Sequence, residues 1–283
     1  MDKGFAPAKV NLALHVTGRA ANGYHLLDSL VLFAGVGDNV AATAAREVSL
    51  TVGGAFATGV PVGEDNLVMQ AALLLASRRG VRLGAKVRLT KNLPHAAGIG
   101  GASSDAAATI RRLAELWGVA PLAADDADVL ALGSDVPACL NAPLPQRMQG
   151  TGELLSPWPH LPPCALVLVN PRVPLDTGTV YSKLTSHENP PLEAPPTADF
   201  AGFSNWLSRQ RNDLEQPART LAPQVDAVLS RLRAPPGVDV ARMSGSGPTC
   251  YGLCRDLATA KQVARAIQIS EQGWWVAPAP VLG

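Results

Sequence analysis

Apolar and polar positions alternate near the start of the chain and predict a β-strand. Apolar residues recur at every second position from Val10 to Val16, while Lys9 and Asn11 occupy the intervening positions. A period of two is typical of a strand with one buried face. The pattern therefore predicts a half-buried strand that carries Lys9 and Asn11 together on its opposite face.

Further apolar runs and turn signals predict the other elements. Strands are predicted at 26–34, 48–52, 86–90, 165–169, 238–243, 249–253 and 274–276. Helices are predicted at 66–79, 103–117, 221–232 and 257–269, the first two ending before Gly80 and Gly118. Strands and helices interleave in both halves of the chain, which indicates an α+β or α/β protein with two subdomains. A proline-rich stretch at 157–163 places the predicted boundary between residues 157 and 158.

Composition and charge narrow the functional classes. The 283 residues are 47% hydrophobic and 17% charged, so a sizeable core can form and global disorder is excluded. The net charge of +1 gives no support for nucleic acid or an anionic membrane as the main partner. The first residues lack the layout of a signal peptide, and no apolar run reaches the length of a bilayer span. We therefore expect a cytoplasmic protein without a membrane partner.

The four cysteines and the five histidines show no metal-ligand or disulfide pattern. The cysteines form no Cys-x-x-Cys pair and do not cluster with histidine, which argues against a disulfide scaffold and a structural zinc site. Apart from one histidine in a polar turn, the histidines (His15, His95, His160 and His187) have no partner pattern in the sequence.

A glycine-rich segment at 93–105 lies between a predicted strand and a predicted helix. Its glycines, Gly98, Gly100 and Gly101, allow a close backbone approach to a ligand, and the helix that follows presents unpaired N–H groups. Together these features favour a phosphate site. The segment lacks the Gly-Lys-Ser/Thr of a common P-loop, so the neutralising charge must come from another lysine or from magnesium. An ordinary turn with Ser103 or Ser104 as the helix N-cap stays open.

Five further motifs accompany this loop. They are Phe-Ala-Pro-Ala-Lys-Val-Asn at 5–11, Gly-Tyr-His at 23–25, Gly-Ser-Asp-Val-Pro at 133–137, Asn-Asp-Leu at 212–214 and Arg-Met-Ser-Gly-Ser-Gly-Pro-Thr at 242–249. This ordered set resembles the galactokinase, homoserine kinase, mevalonate kinase and phosphomevalonate kinase (GHMP) superfamily. Within it, the set is most similar to the branch that phosphorylates 4-diphosphocytidyl-2-C-methyl-D-erythritol. The resemblance spans residues 5 to about 254, nearly the whole chain.

The resemblance implies a fold and an activity. The implied fold is a two-domain α+β GHMP kinase, with a ribosomal-protein-S5-like N-terminal domain at 1–157, a ferredoxin-like C-terminal domain at 158–283, and the active site in the cleft between them. The implied activity is ATP-dependent and Mg²⁺-dependent phosphorylation of the substrate's 2-hydroxyl in the non-mevalonate isoprenoid pathway, by a monomer or homodimer. Two alternatives stay open: a superfamily kinase that acts on homoserine or mevalonate, and a non-catalytic ligand-binding relative.

The resemblance also implies two catalytic residues. Phosphoryl transfer needs a group that orients the attacking hydroxyl and accepts its proton, and the resemblance assigns this role to Asp135. It assigns to Lys9 the support of that carboxylate and of the transferring phosphoryl group. The ordinary alternatives are an aspartate that caps a turn and a strand-edge lysine whose ammonium lies in water.

The implied binding residues form two sets. The nucleotide set consists of Asn66, Lys91, Pro94, Ala97, Gly98, Gly100, Gly101, Ser103 and Ser104, and Ser104 is also the candidate magnesium ligand. The substrate set consists of Asn11, Tyr24, His25, Tyr181, Gly245 and Ser246. In this assignment the two tyrosines enclose the cytosine and the histidine bonds its edge. An ordinary N-cap, core packing and a tight hairpin turn remain the alternatives for Asn66, the aromatic residues and 244–247.

One feature departs from the family pattern. The family loop commonly has more glycine where this chain has Ala96 and Ala97. Alanine disfavours positive φ, so a loop that requires positive φ at either position would have weaker phosphate contacts.

Overall fold

The computed structural model describes residues 1–159, 161–194 and 199–283, so the expectation for His160 lies outside the described residues. The strands are β1 Phe5–Arg19, β2 His25–Ala45, β3 Ser49–Gly53, β4 Gly84–Thr90, β5 Gln146–Gly150, β6 Leu154–Pro157, β7 Ala165–Asn170, β8 Val240–Met243, β9 Cys250–Cys254 and β10 Trp275–Leu282. The helices are α1 Leu67–Arg79, α2 Gly101–Trp117, α3 Ala127–Leu132, α4 Val136–Leu140, α5 Thr177–Ser182, α6 Phe200–Arg209, α7 Glu215–Leu221, α8 Gln224–Arg233 and α9 Leu257–Ser270.

The chain divides into two compact units, each discontinuous in sequence. The first unit contains Met1–Ala8, Gly37–His95 and Gly100–Pro143. The second contains Lys9–Val36, Ala96–Ile99 and Leu144–Gly283. Strands β1 and β2 contribute to both units, and both units mix helices with strands. The predicted division at residues 157 and 158 stays a prediction.

The first unit packs helices against a small mixed sheet. Strand β4 pairs in parallel with β3 and antiparallel with the second half of β2. Alternate residues of β4, such as Val87 and Leu89, are buried in one core with Leu75 of α1 and Ile110 of α2. The predicted β3, β4, α1 and α2 are all present, because each carries an apolar face of the matching period.

The helices of this unit begin and end at the capping residues that the sequence indicates, with one exception. Asn66 is the N-cap of α1, and its side-chain oxygen accepts a hydrogen bond from Val68 N at 2.8 Å. Gly80 ends that helix in the left-handed conformation, with φ 63°. The prediction that Ser103 or Ser104 caps α2 is wrong. The helix begins at Gly101 without a side-chain cap, because a preceding glycine takes the left-handed conformation and both serines already lie in the first turn.

The second unit is built on antiparallel strands. Its order is β2-β10-β7-β9-β8; β1 and β5 also pair with β2, and β6 pairs with β5. Val167 and Val169 of β7 share a core with Leu232 of α8 and Val263 of α9. Strands β5 and β6 and helices α3 to α7 were not predicted; all of them except α6 are short and lack a clear apolar period, whereas α6 has an apolar face with the helical spacing. Within the described ranges, no helix is long and apolar enough to span a membrane.

Strand β1 is buried on both faces for most of its length. The prediction of a half-buried strand is therefore wrong, and so is the alternative that the Lys9 ammonium lies in water, since Lys9 is 3% exposed. Asn11 is buried as well. A polar face that is removed from water must be satisfied by internal hydrogen bonds, which makes these two residues candidates for chemistry.

Candidate active site

Lys9 and Asn11 form a buried polar pair on β1. Lys9 Nζ donates to Asn11 Oδ1 at 3.2 Å, as expected for residues that share one face of a strand. Asn11 Nδ2 donates to Ser29 Oγ at 2.8 Å, and Ser29 Oγ donates to Ala13 O at 2.6 Å. This chain of bonds fixes the orientation of the Asn11 amide, with its oxygen directed toward the lysine.

The hydroxyl of Ser244 ties this strand to the glycine segment. Ser244 Oγ accepts a hydrogen bond from Asn11 N at 3.1 Å and donates one to Gly98 O at 2.9 Å. A further backbone bond joins Lys9 N to Ile99 O at 3.0 Å. The peptide units of Lys9 and Asn11 are therefore connected directly to the segment predicted to bind phosphate.

Two glycines allow the close approach of these backbones. Gly98 has φ 70°, and a Cβ atom there would lie 2.6 Å from Gly247 N. Gly245 has φ 54°, and a Cβ atom there would lie 2.8 Å from Gly98 O and 3.4 Å from Asn11 Oδ1. Both the left-handed conformation and the contact distance therefore require glycine at these positions.

The loop that carries Gly245 connects β8 to β9, which are paired antiparallel. Asn212 Nδ2 donates to Met243 O and to Gly245 O, both at 2.8 Å, and Ser246 Oγ lies 2.8 Å from Thr177 Oγ1. The hairpin alternative is thus what the structure contains, and the Asn-Asp-Leu motif supports its loop. The substrate contacts of Gly245 and Ser246 stay predictions.

The start of α2 carries two buried oxygen atoms without a hydrogen-bond partner among the described residues. Ser104 is fully buried, and neither its Oγ nor Asp105 Oδ1 has a partner there. Unsatisfied buried oxygen atoms are costly, and they commonly indicate a missing ion, water or ligand. They lie in the first turn of a helix, where the helix dipole favours a negative ligand.

Asp135 lies at the N-cap position of α4 in the first unit. It is half-buried, and its side chain makes no capping bond to α4, so its catalytic role and the alternative of a turn-capping aspartate both stay open. A Cβ atom at Gly133 would lie 3.8 Å from Ser103 Oγ. The Gly-Ser-Asp turn therefore lies beside the first turn of α2, within the unit that holds Gly100, Gly101 and the two serines.

Lys91 lies between two buried carboxylates. Its Nζ bonds Asp38 Oδ2 and, at 2.7 Å, Asp105 Oδ2. Burial by itself lowers the pKa of the Lys91 ammonium, but the two carboxylates outweigh burial and raise that pKa above its ordinary value. Burial also raises the pKa of Asp105 to about 8, against the opposing effect of Lys91. The nucleotide contact of Lys91 stays a prediction, whereas its ion pairs with Asp38 and Asp105 are present in the structure.

Asp38 also holds the start of the glycine loop. Its Oδ1 accepts hydrogen bonds from Asn92 N at 2.5 Å and from Leu93 N at 2.8 Å. Sequence reasoning missed this residue, because nothing near it in the sequence marks it as a partner of the loop. Pro94, the next residue of the loop, is buried, and its predicted nucleotide contact is untested.

The two alanines of the loop differ in conformation. Ala96 is exposed and has φ 44°, in the left-handed region that alanine disfavours. Ala97 is 4% exposed and does not have a positive φ. The loop therefore needs positive φ at the first of the two positions, and it adopts this conformation with a methyl group present.

The aromatic candidates form a ring cluster in the second unit. The His25 ring stacks on Tyr181 with centroids 4.9 Å apart, whereas Tyr24 is 67% exposed. His25 Nε2 also lies 3.1 Å from Nδ1 of His187, which the sequence did not indicate. Burial lowers the pKa of His25, and the charges of His187 and Arg19 lower it further. A neutral imidazole at this place can present one donor and one acceptor.

Two family models match the chain. The model of the GHMP kinases N terminal domain matches residues 66–142, and the model of the GHMP kinases C terminal domain matches residues 196–271. Together these ranges cover more than half of the chain. They confirm the predicted two-domain GHMP kinase fold and its mixed α+β class.

The chain is also similar to curated relatives over its full length. It is 51% identical to a 4-diphosphocytidyl-2-C-methyl-D-erythritol kinase of Jannaschia sp. (strain CCS1), with 99% of this chain and 97% of the relative covered. It is 51% identical to the protein of that name from Paramagnetospirillum magneticum (strain ATCC 700264 / AMB-1), with 98% and 97% covered.

Solved structures show the same relationship. A crystal structure of 4-(cytidine 5'-diphospho)-2C-methyl-D-erythritol kinase superposes with a TM-score of 0.80 at 31% identity and covers 99% of this chain and 98% of its own. A homoserine kinase from Cytophaga hutchinsonii ATCC 33406 superposes with a TM-score of 0.70 at 18% identity, with 98% and 94% covered, which shows a shared fold alone. The chain therefore belongs to the 4-diphosphocytidyl-2-C-methyl-D-erythritol kinase family of the GHMP kinases, and it is an ATP-dependent small-molecule kinase.

Proposed function

We propose that the chain phosphorylates the 2-hydroxyl of 4-diphosphocytidyl-2-C-methyl-D-erythritol by direct in-line transfer from ATP. The observation that carries the proposal is the buried Lys9–Asn11 pair, which Ser244 connects to the backbone of Gly98. This arrangement supports a cation and an amide held beside a phosphate-binding segment. A cytoplasmic location and a monomeric or homodimeric state are further expectations.

The glycine segment and the start of α2 bind the triphosphate in this proposal. Gly98, Gly100 and Gly101 allow the backbone to approach the phosphates closely, and the first N–H groups of α2 donate to the phosphate oxygens. Ser103 lies in the same turn and offers a hydroxyl donor. Asn66, Lys91, Pro94 and Ala97 complete the nucleotide set inferred from the family pattern.

The start of α2 also suits a magnesium ion bound with ATP. Magnesium prefers oxygen ligands and usually keeps water and substrate phosphates among them. The unpartnered Ser104 Oγ fits such a ligand, and Asp105 Oδ1 lies beside it in the sequence. The described residues contain no cluster of three His, Cys, Asp or Glu side chains that could hold a metal ion, so the phosphates would supply the other ligands. Bound there, magnesium would neutralise negative charge on the phosphates.

Asp135 acts as the general base in the proposed reaction. It accepts the proton of the 2-hydroxyl as the oxygen attacks the γ-phosphorus, and no covalent enzyme intermediate forms. Lys9 stabilises negative charge on the transferring phosphoryl group, since a cation removed from water acts more strongly than an exposed one. Asn11 orients the substrate hydroxyl with the amide that Ser29 and Lys9 hold in place.

The ring cluster and the 244–247 loop bind the rest of the substrate. Tyr24 offers an exposed ring on which the cytosine can stack, and His25 offers a hydrogen bond to the edge of the base. Tyr181 packs behind His25. Gly245 and Ser246 approach the diphosphate and methylerythritol part. Homoserine and mevalonate have no base that these rings could bind, which favours the cytidyl substrate.

A coupled ADP-release assay tests the substrate. Purified protein is supplied with ATP, Mg²⁺ and, in separate reactions, the diphosphocytidyl substrate, mevalonate or homoserine. We expect turnover with the diphosphocytidyl compound alone. Preference for mevalonate or homoserine would reject the cytidyl assignment, and no ADP release with any compound would favour a non-catalytic relative.

The Asp135→Ala variant tests the base. We expect kcat to fall by about 10²- to 10⁴-fold, as for loss of a positioned base, while ATP binding stays near the wild-type value. Asp125→Ala is the matched control, since Asp125 is exposed in the segment before α3. A turnover near wild type in Asp135→Ala would remove this residue from the role.

A further inference from the structure

His187 is held in a fixed position beside the ring cluster. It lies in the turn after α5, where Leu184 N donates to Tyr181 O at 3.2 Å. Two residues further on, Asn189 donates to Val16 O from its backbone N and from its side-chain Nδ2, both at 3.0 Å. The segment between these anchors is short, so the backbone of His187 is fixed on both sides.

The contact between the two histidines occupies one nitrogen of each ring. His25 Nε2 lies 3.1 Å from His187 Nδ1, and one of the two must donate to the other. The other nitrogen of His25, Nδ1, has no hydrogen bond to the residues that the structure describes. Stacking on Tyr181 fixes the plane of the His25 ring. His25 therefore has a fixed plane, one occupied nitrogen and one nitrogen left for a ligand.

A neutral imidazole carries one hydrogen on its two ring nitrogens, so when one nitrogen is an acceptor the other is a donor. If His187 Nδ1 donates, His25 Nε2 is the acceptor and His25 Nδ1 must carry the hydrogen. If the bond runs in the other direction, His25 Nδ1 is an acceptor. The partner of His25 Nε2 thus determines whether His25 Nδ1 offers the ligand a donor or an acceptor.

This distinction separates cytosine from uracil. Cytosine presents acceptors at N3 and O2, whereas uracil presents an N–H donor at N3. A donor at His25 Nδ1 suits N3 of cytosine and opposes N3–H of uracil, and a site that leaves one of its polar groups unpaired discriminates strongly.

We propose that His187 is a positioning residue for base specificity, which donates from Nδ1 to His25 Nε2 and so holds His25 Nδ1 as a donor toward cytosine. The inference rests on the proposed cytidyl substrate. It assigns a role to a residue outside the family motifs and predicts selectivity for cytosine over uracil at this subsite.

Variants of His187 test the proposal. His187→Ala removes the donor, and His187→Asn keeps an amide N–H close to the place of Nδ1. Ser186→Ala is the matched control, because this exposed neighbour has no side-chain bond among the described residues. CDP and UDP are the binding probes, titrated by calorimetry without ATP, and steady-state kinetics give KM for the diphosphocytidyl substrate, KM for ATP and kcat.

We expect the wild type to bind CDP more tightly than UDP. In His187→Ala the ratio of the two affinities should fall by about tenfold, and KM for the diphosphocytidyl substrate should rise by about the same factor, as for one lost hydrogen bond. KM for ATP and kcat should change by less than about twofold, because neither depends on the base. His187→Asn should restore most of the selectivity.

Other outcomes would overturn the inference. An unchanged CDP-to-UDP ratio in His187→Ala would show that the histidine does not set specificity. A joint loss of kcat, ATP affinity and melting temperature in both His187 variants would show a structural role instead. Failure of the proposed function is distinguishable, because it would appear as wild-type protein that does not turn over the diphosphocytidyl substrate, whatever the His187 variants do.

Discussion

The buried cluster of Lys91, Asp38 and Asp105 should make a large contribution to stability that depends on the cation. The three side chains are 4%, 0% and 3% exposed, so water solvates none of them. Lys91→Met keeps much of the side-chain volume but removes the cation that Asp38 and Asp105 share. Removing one partner from a buried ion pair costs about 3 to 5 kcal/mol.

This cost converts to a measurable change in melting temperature. A loss of 1 kcal/mol lowers the melting temperature of a protein of roughly this size by about 2 to 4 °C, so Lys91→Met should melt about 6 to 20 °C below the wild type. Lys86→Met is the matched control, because Lys86 lies on the exposed face of β4, the strand that Lys91 directly follows. It should change stability by less than about 0.5 kcal/mol.

A double variant separates charge from packing. Lys91→Met combined with Asp105→Asn also removes one of the two acidic side chains that would otherwise lack the cation, so it should recover part of the loss. If Lys91→Met melts within the range of Lys86→Met, the reasoning about the cluster is refuted. If the double variant is no more stable than the single one, lost packing and not unpaired charge explains the effect.

The pH dependence of the cluster's stability follows from the raised pKa of Asp105. The pKa of Asp105 is raised from 3.8 to about 8 in the folded protein. A raised folded-state pKa contributes stability that is fully present below the unfolded pKa and is lost as pH rises through the folded pKa. Asp105→Asn should therefore flatten the stability profile between about pH 4 and pH 8, which thermal melts across that range would reveal.

Two other positions give sharp expectations. Ala96→Gly should raise the free energy of unfolding by up to about 1 kcal/mol, because Ala96 has φ 44°, whereas Ala97→Gly should lower it. Urea titration of both variants measures the sign of each change. Stabilisation by both variants would contradict the argument from backbone conformation. His15 Nε2 accepts from Arg211 N at 3.0 Å, and burial, followed by the charge of Arg211, lowers the pKa of His15. The neutral ring is therefore favoured in the fold, and stability should fall as pH drops below about 6.5 in thermal melts; an equal fall in His15→Asn would exclude His15 as the cause.

The parts of the fold that local patterns determine were predictable from sequence. Helix α1 has an N-cap asparagine and a glycine stop, and β4 alternates clearly. The wrong predictions arose where distant residues decide the outcome. The sequence around Lys9 predicts a half-exposed residue, because no neighbouring position in the sequence indicates that both faces of β1 are covered. Strand β5 has the sequence Gln-Arg-Met-Gln-Gly, which carries no apolar alternation.

Some residues of the candidate site could be predicted from local motifs, and others could not. The glycine segment and the resemblance identified Lys9, Asn11 and Asp135 as candidates, because these residues lie within recognisable motifs. His187 lies 162 positions from His25, and Asp38 lies 53 positions from Lys91. Contacts of that separation depend on the folded chain, so no local spacing could have revealed them.

The single hydroxyl of Ser244 has a mechanical consequence. It holds the carbonyl of Gly98 in the glycine segment on one side and the peptide N–H of Asn11 on the other. Any shift of the glycine segment must either carry this strand with it or break a bond to the serine. Together with the bond from Lys9 N to Ile99 O, the serine makes the position of the glycine segment and the alignment of the Asn11 amide depend on each other.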